Sequence, residues 1–188
     1  MGESRSGLST WAREEVRDDT LNALGAIYND TTYSTYAAAA EAAKDTWLGN
    51  NDGVVNRVLF GNAKANQSTT DHSASLANVD GTNDVLTSGI VSLMKRMAQT
   101  ADPHITPIKV REDEEMFVLF VGSLARRDLM ADTAFLNAQR DANVRGADNP
   151  LFKGGDLMWD NVIIREVPEI AVISGVGAAA IDVEPAYM

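Results

Sequence analysis

An α+β fold follows from three features of the 188-residue sequence: two long segments with helical spacing, a six-residue apolar run bounded by charge, and two short strand-like segments around an Asp-Asn turn. From Leu8 to Tyr28, the residues Leu8, Ala12, Val16, Ala23, Leu24 and Ile27 recur at mostly helical steps, while Glu14, Arg17 and Asp18 fall elsewhere, which predicts an amphipathic helix. Tyr36–Leu48 is rich in helix formers and Val54–Phe60 in strand-forming side chains. Around these islands, Gly49–Gly53 and Asn66–Ser75 have the small polar composition of turns, so residues 49–83 read as a long interrupted loop.

A second helix spans Asp84–Gln99, with Leu86, Ile90, Leu93, Met94 and Met97 on one face, Thr82 or Asn83 as N-cap, and Lys95 and Arg96 near its end. Pro103 and Pro107 keep the chain extended towards Ile108–Val110, and Arg111–Glu115 reads as a charged turn. Met116–Val121 is then a buried strand. Ser123 can cap a short helix through Met130, and Asp132 or Thr133 another through Ala142. After a loop at Asn143–Phe152, Leu157–Trp159 and Val162–Arg165 form a hairpin about Asp160-Asn161, and Pro168 makes the second strand an edge or ends it. The apolar segment Ile170–Ile181 runs on with no obvious strand partner after it. There is no internal repeat, and a regular βαβ series is disfavoured.

The composition narrows the functional classes. With 27 Asp+Glu against 16 Lys+Arg, the formal charge is −11, the wrong sign for a protein whose main task is gripping nucleic-acid phosphates. The acids and bases are spread unevenly, and residues 29–83 are the least charged part. The absence of cysteine excludes a disulfide framework, Cys-ligated zinc and thiol catalysis. Ile170–Ile181 is broken by Ser174, Gly175 and Gly177 and falls short of the roughly 20 apolar residues of a membrane span. Met1–Gly7 is not followed by the apolar core of an export signal, so a soluble protein with no membrane partner is expected.

Catalytic motifs are sparse. Only His72 and His104 could serve as imidazole bases, no GxSxG elbow accompanies them, and both read as loop histidines. Asp18-Asp19 and Glu112–Glu115 read as solvated acidic faces, and Asn51-Asp52-Gly53 as a plain turn and not a calcium loop. Gly154-Gly155 and Gly175-Val176-Gly177 lack the remainder of a phosphate loop. The basic pairs Lys95-Arg96 and Arg126-Arg127 suit surface ion pairs better than nucleic acid, and Trp11, Trp47 and Trp159 suit packing. By elimination, a structural or binding protein is favoured over an enzyme, with no catalytic residue, metal or cofactor assigned. The alternative is a small acidic hydrolase using His72 or His104.

An ordered series of segments carries a resemblance. FVLFV at Phe117–Val121 is followed by Arg127–Leu129 (RDL), AQRDA at Ala138–Ala142, RGADNPLFKG at Arg145–Gly154 and GDLMWDNVIIREVPEI at Gly155–Ile170. Upstream lie NRVLFG at Asn56–Gly61 and ADPHITPIKV at Ala101–Val110. This series resembles the major capsid proteins of tailed bacteriophages, in the group typified by the shell protein of the coliphage N-four. The helix Leu8–Tyr28, with Trp11 and the Asp19 region, is similar to that family's spine helix.

The resemblance implies a Hong Kong 97-type capsid fold. Residues 1–48 would hold the spine helix and the following peripheral-domain segment, 49–83 a polar loop region, and 84–188 an axial domain built on a central sheet. It implies no catalysis and no cofactor, and within the same setting a virion decoration or adaptor protein is the alternative role. Copies would assemble into hexamers and pentamers around double-stranded DNA, touched only non-specifically, with portal, scaffold or decoration proteins as further partners. The location implied is the virion, and the bacterial host cytoplasm during assembly. Arg127, Asp128, Gln139, Arg140, Asn149, Pro150 and Gly155 match recurring family positions, where they would hold the domain's own turns more than contacts between subunits. Similar members are longer, with an arm and an extended loop before the spine helix and further strands at the end, so a chain incomplete at both ends, or a reduced relative, is expected.

Overall fold

The computed structural model describes residues 2–28, 31–111, 114–143 and 157–188. The chain divides into two compact units, Met1–Trp47 and Leu48–Met188. The first contains α1 (Gly2–Leu24), a two-residue ladder of β1 (Ile27–Tyr28) with β2 (Tyr33–Ser34), and the start of α2 (Glu41–Asn51). Helix α1 ends four residues before the expected Tyr28, because Ile27 and Tyr28 pair with Ser34 and Tyr33 and the two tyrosine rings stack at 4.7 Å. The amphipathic reading of α1 is not matched by burial: Leu8, Trp11 and Val16 are 69%, 60% and 66% exposed. At steps of three and eight from Leu8, Trp11 and Val16 fall on the same broad side of the helix, and that side is exposed. Helix α2 starts at Glu41, not Tyr36, and Lys44 lies 4.5 Å from the Tyr36 ring centroid.

In the second unit, the region expected to be loop is folded. It carries a 3₁₀ turn at Lys64–Asn66 and a short helix, α3 (His72–Ala77). The Asp71 carboxylate accepts the Ala74 N–H at 2.8 Å and so caps α3. The expected strand Val54–Phe60 is absent, since Asn56 adopts a positive φ of 49° and the segment is held by side chains. Lys64 Nζ donates to the Val58 carbonyl (2.8 Å), Asp52 (3.3 Å) and Gln67 (3.2 Å).

Helix α4 (Ser88–Thr100) starts later than expected, capped by Thr87, because Asp84 is used elsewhere. Its carboxylate accepts the N–H groups of Asn62 and Asp80 and the Asn66 amide, each at 2.8 Å. Gly61, at φ +60°, admits that carboxylate; a Cβ there would collide with it.

The sheet has the order β3-β4-β6-β5, formed by β3 (Ile108–Arg111), β4 (Glu114–Val121), β5 (Leu157–Trp159) and β6 (Val162–Glu166). Glu114 and Glu115, expected in a turn, open β4 and pair with Arg111 and Lys109 of antiparallel β3. Strand β4 runs parallel to β6, with Phe117↔Val162 and Leu119↔Ile164 in register. The connection between them contains α5 (Ser123–Ala131) and α6 (Thr133–Asn143). The β5–β6 hairpin turns at Asp160 (φ 47°) and Asn161 (φ 59°), the left-handed pair of a type I′ turn. Of the two outcomes expected from Pro168, termination is found: β6 is internal and stops at Glu166.

Alternation along β4 puts Phe117, Leu119 and Val121 on one buried face with Val162 and Ile164. Ile90, Val91 and Ala98 of α4, Leu129 of α5 and Phe135 of α6 join them in one core. Trp159 is tied to α4 by its Nε1–H donating to Ser92 Oγ at 3.1 Å, and Lys95 Nζ reaches Asp160 at 2.8 Å. Leu119→Ala should lower unfolding free energy by about 2–5 kcal/mol, whereas Leu136→Ala, at an exposed site, should change it by less than about 1 kcal/mol. Urea denaturation of the two variants measures this difference.

Candidate functional site

The two histidines differ in burial. His72, expected in a loop, is buried as the first residue of α3, and its ring lies edge-on to Phe60 with centroids 6.0 Å apart. His104 is exposed on the proline-flanked link. Among the described residues, no group of three or more His, Asp or Glu side chains is placed to hold a metal ion, and no helix is long and apolar enough to cross a membrane. A groove lined by Arg57, Met94, Met97, Ile105, Ala186 and Met188 encloses about 110 Å³, below the roughly 300–1,000 Å³ of small-molecule sites.

The polar chemistry of the second unit is spent on backbone amides. Asp132 is the clearest case: its carboxylate accepts the Ser88 N–H at the start of α4 (2.7 Å) and the Ala134 N–H in the first turn of α6 (3.0 Å). Burial disfavours its ionised form, but hydrogen bonds from Ser88, Ala134 and Phe135 outweigh that and hold the carboxyl below its ordinary range. Asp80 is lowered by the amides of Asn83 and Thr82, and Asp71 by the Ala74 amide and the Ser73 hydroxyl. Helix α5 has Gly122 at its N-cap, so Ser123 is its first residue and not its cap. Its Ala125 N–H is satisfied from 59 residues away by Glu184, at 2.8 Å. A Cβ on Gly122 would collide with that carboxylate.

Four of the family-motif positions are described. Arg127 and Asp128 lie on α5 and pair with each other at 3.0 Å, with the Arg127 side chain 71% exposed. Gln139 and Arg140 lie on α6, where Arg140 donates to Asn137 at 3.0 Å. Asn149, Pro150 and Gly155 fall outside the described residues, as does the loop segment 144–152. The basic pairs behave as expected, with Lys95 bound to Asp160 and Arg126 to Glu166 at 3.3 Å. Trp159 packs as expected, whereas Trp11 is exposed.

The exposed apolar side chains of Leu8, Trp11 and Val16 on α1 mark a surface suited to contact with another protein. A phage capsid protein family model matches residues 11–182. The chain belongs to that family. Its class is therefore structural, a component of the virion capsid, and not enzymatic, which removes the hydrolase alternative. The major capsid protein of Pseudomonas phage KPP25 is 30% identical over 114 residues, covering 54% of this chain and 30% of that protein. A chain of the cyanophage Pam1 capsid asymmetric unit superposes with a TM-score of 0.75 at 39% identity, covering 90% of this chain and 46% of that one. The capsid of Ralstonia phage GP4 shares the fold, with a TM-score of 0.50 at 22% identity over 70% of this chain and 36% of its counterpart. The capsid protein described here thus spans less than half the length of these relatives.

Two outcomes follow from the placed side chains. A carboxyl lowered on folding stabilises at neutral pH, and that contribution is lost as pH falls through its folded value. The urea midpoint should therefore drop below about pH 4, and Asp132→Asn should lower it at pH 7 while making the acid drop shallower. His72→Ala should cost on the order of 2 kcal/mol and His104→Ala less than about 0.5 kcal/mol, measured by the same titration.

Proposed function

We propose that the chain is a shell-building subunit of a tailed phage, acting by self-assembly into capsomers, with a Hong Kong 97-type arrangement. In this reading α1 is the spine helix of a peripheral segment spanning residues 1–48. Residues 49–83 join it to an axial-domain segment at 84–188, whose central sheet is β3-β4-β6-β5. The observation that carries the reading is the match to the cyanophage Pam1 capsid chain over 90% of this chain at 39% identity. It is supported by α1, whose exposed Leu8, Trp11 and Val16 are what a helix buried against neighbouring copies would present.

Hexamers and pentamers of the same chain are the partners, and packaged double-stranded DNA is touched only non-specifically. The charge of −11 suits a shell that must not adhere to its own genome. Portal, scaffold or decoration proteins would dock on the assembled shell. Arg127 and Arg140, exposed on α5 and α6, are positions where a neighbouring subunit would be met, with Asp128 paired to Arg127.

Expression from the full reading frame, followed by electron microscopy, should give shells, rings or capsomers. Trp11→Asp should suppress these particles while changing stability by less than about 0.5 kcal/mol. A product that stays monomeric at every concentration overturns the reading.

A further inference from the structure

Strands β4 and β6 are parallel, and the chain between them passes through α5 and α6, so no tight turn sets how far one strand is shifted along the other. The shift matters, because moving β6 by one residue would carry Val162 and Ile164, 0% and 1% exposed, to the other face of the sheet. The observed register opens at Phe117↔Val162, where the Phe117 N–H donates to the Asn161 carbonyl at 3.0 Å.

Asn161 is the second residue of the β5–β6 turn, so the conformation of that turn decides where its carbonyl lies. A type I′ turn requires left-handed backbone at both central positions and is made most readily with glycine. Here the pair is Asp160 (φ 47°) and Asn161 (φ 59°), whose side chains tolerate that region at a cost glycine does not carry. Support comes from α4. Lys95 Nζ donates to the Asp160 carbonyl at 2.7 Å and to the Asp160 carboxylate at 2.8 Å. Both acceptors belong to one residue, so the ammonium closes a ring that fixes the backbone carbonyl relative to the side chain. The Lys95 side chain is only 17% exposed, so the contact is screened less than an open surface pair. Three residues earlier, on the same side of α4, Ser92 Oγ accepts the Trp159 Nε1–H at 3.1 Å. Helix α4 therefore holds Trp159 and Asp160, the two consecutive residues that lead into the turn.

We propose that Lys95 is a positioning residue: its ammonium selects the left-handed conformation of Asp160 and, through the Asn161 carbonyl, sets the register in which β6 joins β4. An ordinary surface ion pair links two side chains; this one acts on backbone conformation. The role belongs to the single chain and is independent of shell formation.

Amide hydrogen exchange on the full chain tests this with Lys95→Met, which keeps the aliphatic stem and removes the donors. Exchange at Phe117 should rise about fivefold or more, while Val167, whose N–H is bonded to the Val121 carbonyl at the far end of β4, keeps its protection. Adding Asp160→Gly to Lys95→Met should return Phe117 to within about twofold of the wild type, because glycine adopts the left-handed conformation without the lysine. Rescue of this kind is not expected if Lys95 contributes only packing or charge. Unchanged exchange at Phe117 in Lys95→Met, an equal rise at Val167, or failure of the added glycine to restore Phe117 would each overturn the proposal. If Lys95→Met does not fold, the double variant should fold with wild-type protection at Phe117; failure of both overturns it as well.

Discussion

Strand β4 is hydrogen-bonded along both edges, and that constraint positions almost everything in the larger unit. Parallel pairing with β6 requires a long crossover, which α5 and α6 provide. The buried face of Phe117, Leu119 and Val121 then selects which residues of α4, α5 and α6 become core. On the opposite edge, β3 serves the first part of the strand and Tyr187 serves Phe120, so segments about 75 residues apart meet on one strand. A slip of one residue in β4 would turn Leu119 away from the core and break both edges at once.

Carboxylates do much of the joining that a chain without cysteine must achieve by other means. Asp132 ties the starts of α4 and α6, Glu184 ties the C-terminal segment to α5, and Asp84 gathers the loops around Gly61 and Asp80. Charged acceptors on backbone amides are stronger than neutral ones and satisfy helix-end donors that have no partner within the helix. Part of the acidic excess therefore serves the fold. In the proposed assembly the net charge of −11 also suits a shell that does not adhere to packaged nucleic acid.

The resemblance to phage capsid proteins was readable because short, individually weak segments recur in a fixed order from Asn56 to Ile170. The hairpin at Asp160-Asn161 was readable because left-handed turn residues leave a local signature. The α3 helix was missed although Asp71 stands at its N-cap, since polar composition around His72 outweighed a six-residue helical signal. Val54–Phe60 had strand propensity, but Asn56 took a left-handed conformation that breaks an extended run. Of the motif positions, Arg127 and Arg140 emerged on exposed helix faces and not in turns.

By itself the sequence determined the mixed α+β class, the main helices, the buried strand and the absence of thiol chemistry, because these depend on residues within a few positions of each other. It also determined the family, through the order of its motifs. The tertiary structure alone decided that β4 and β6 run parallel, that Asp132 serves two helices and that Glu184 caps α5 across 59 residues. It also placed Tyr187 beside Phe120, giving the C-terminal stretch the partner that its sequence did not reveal. Such contacts leave no periodic trace: a single carboxylate or backbone pair acquires its role only when the chain brings distant segments together.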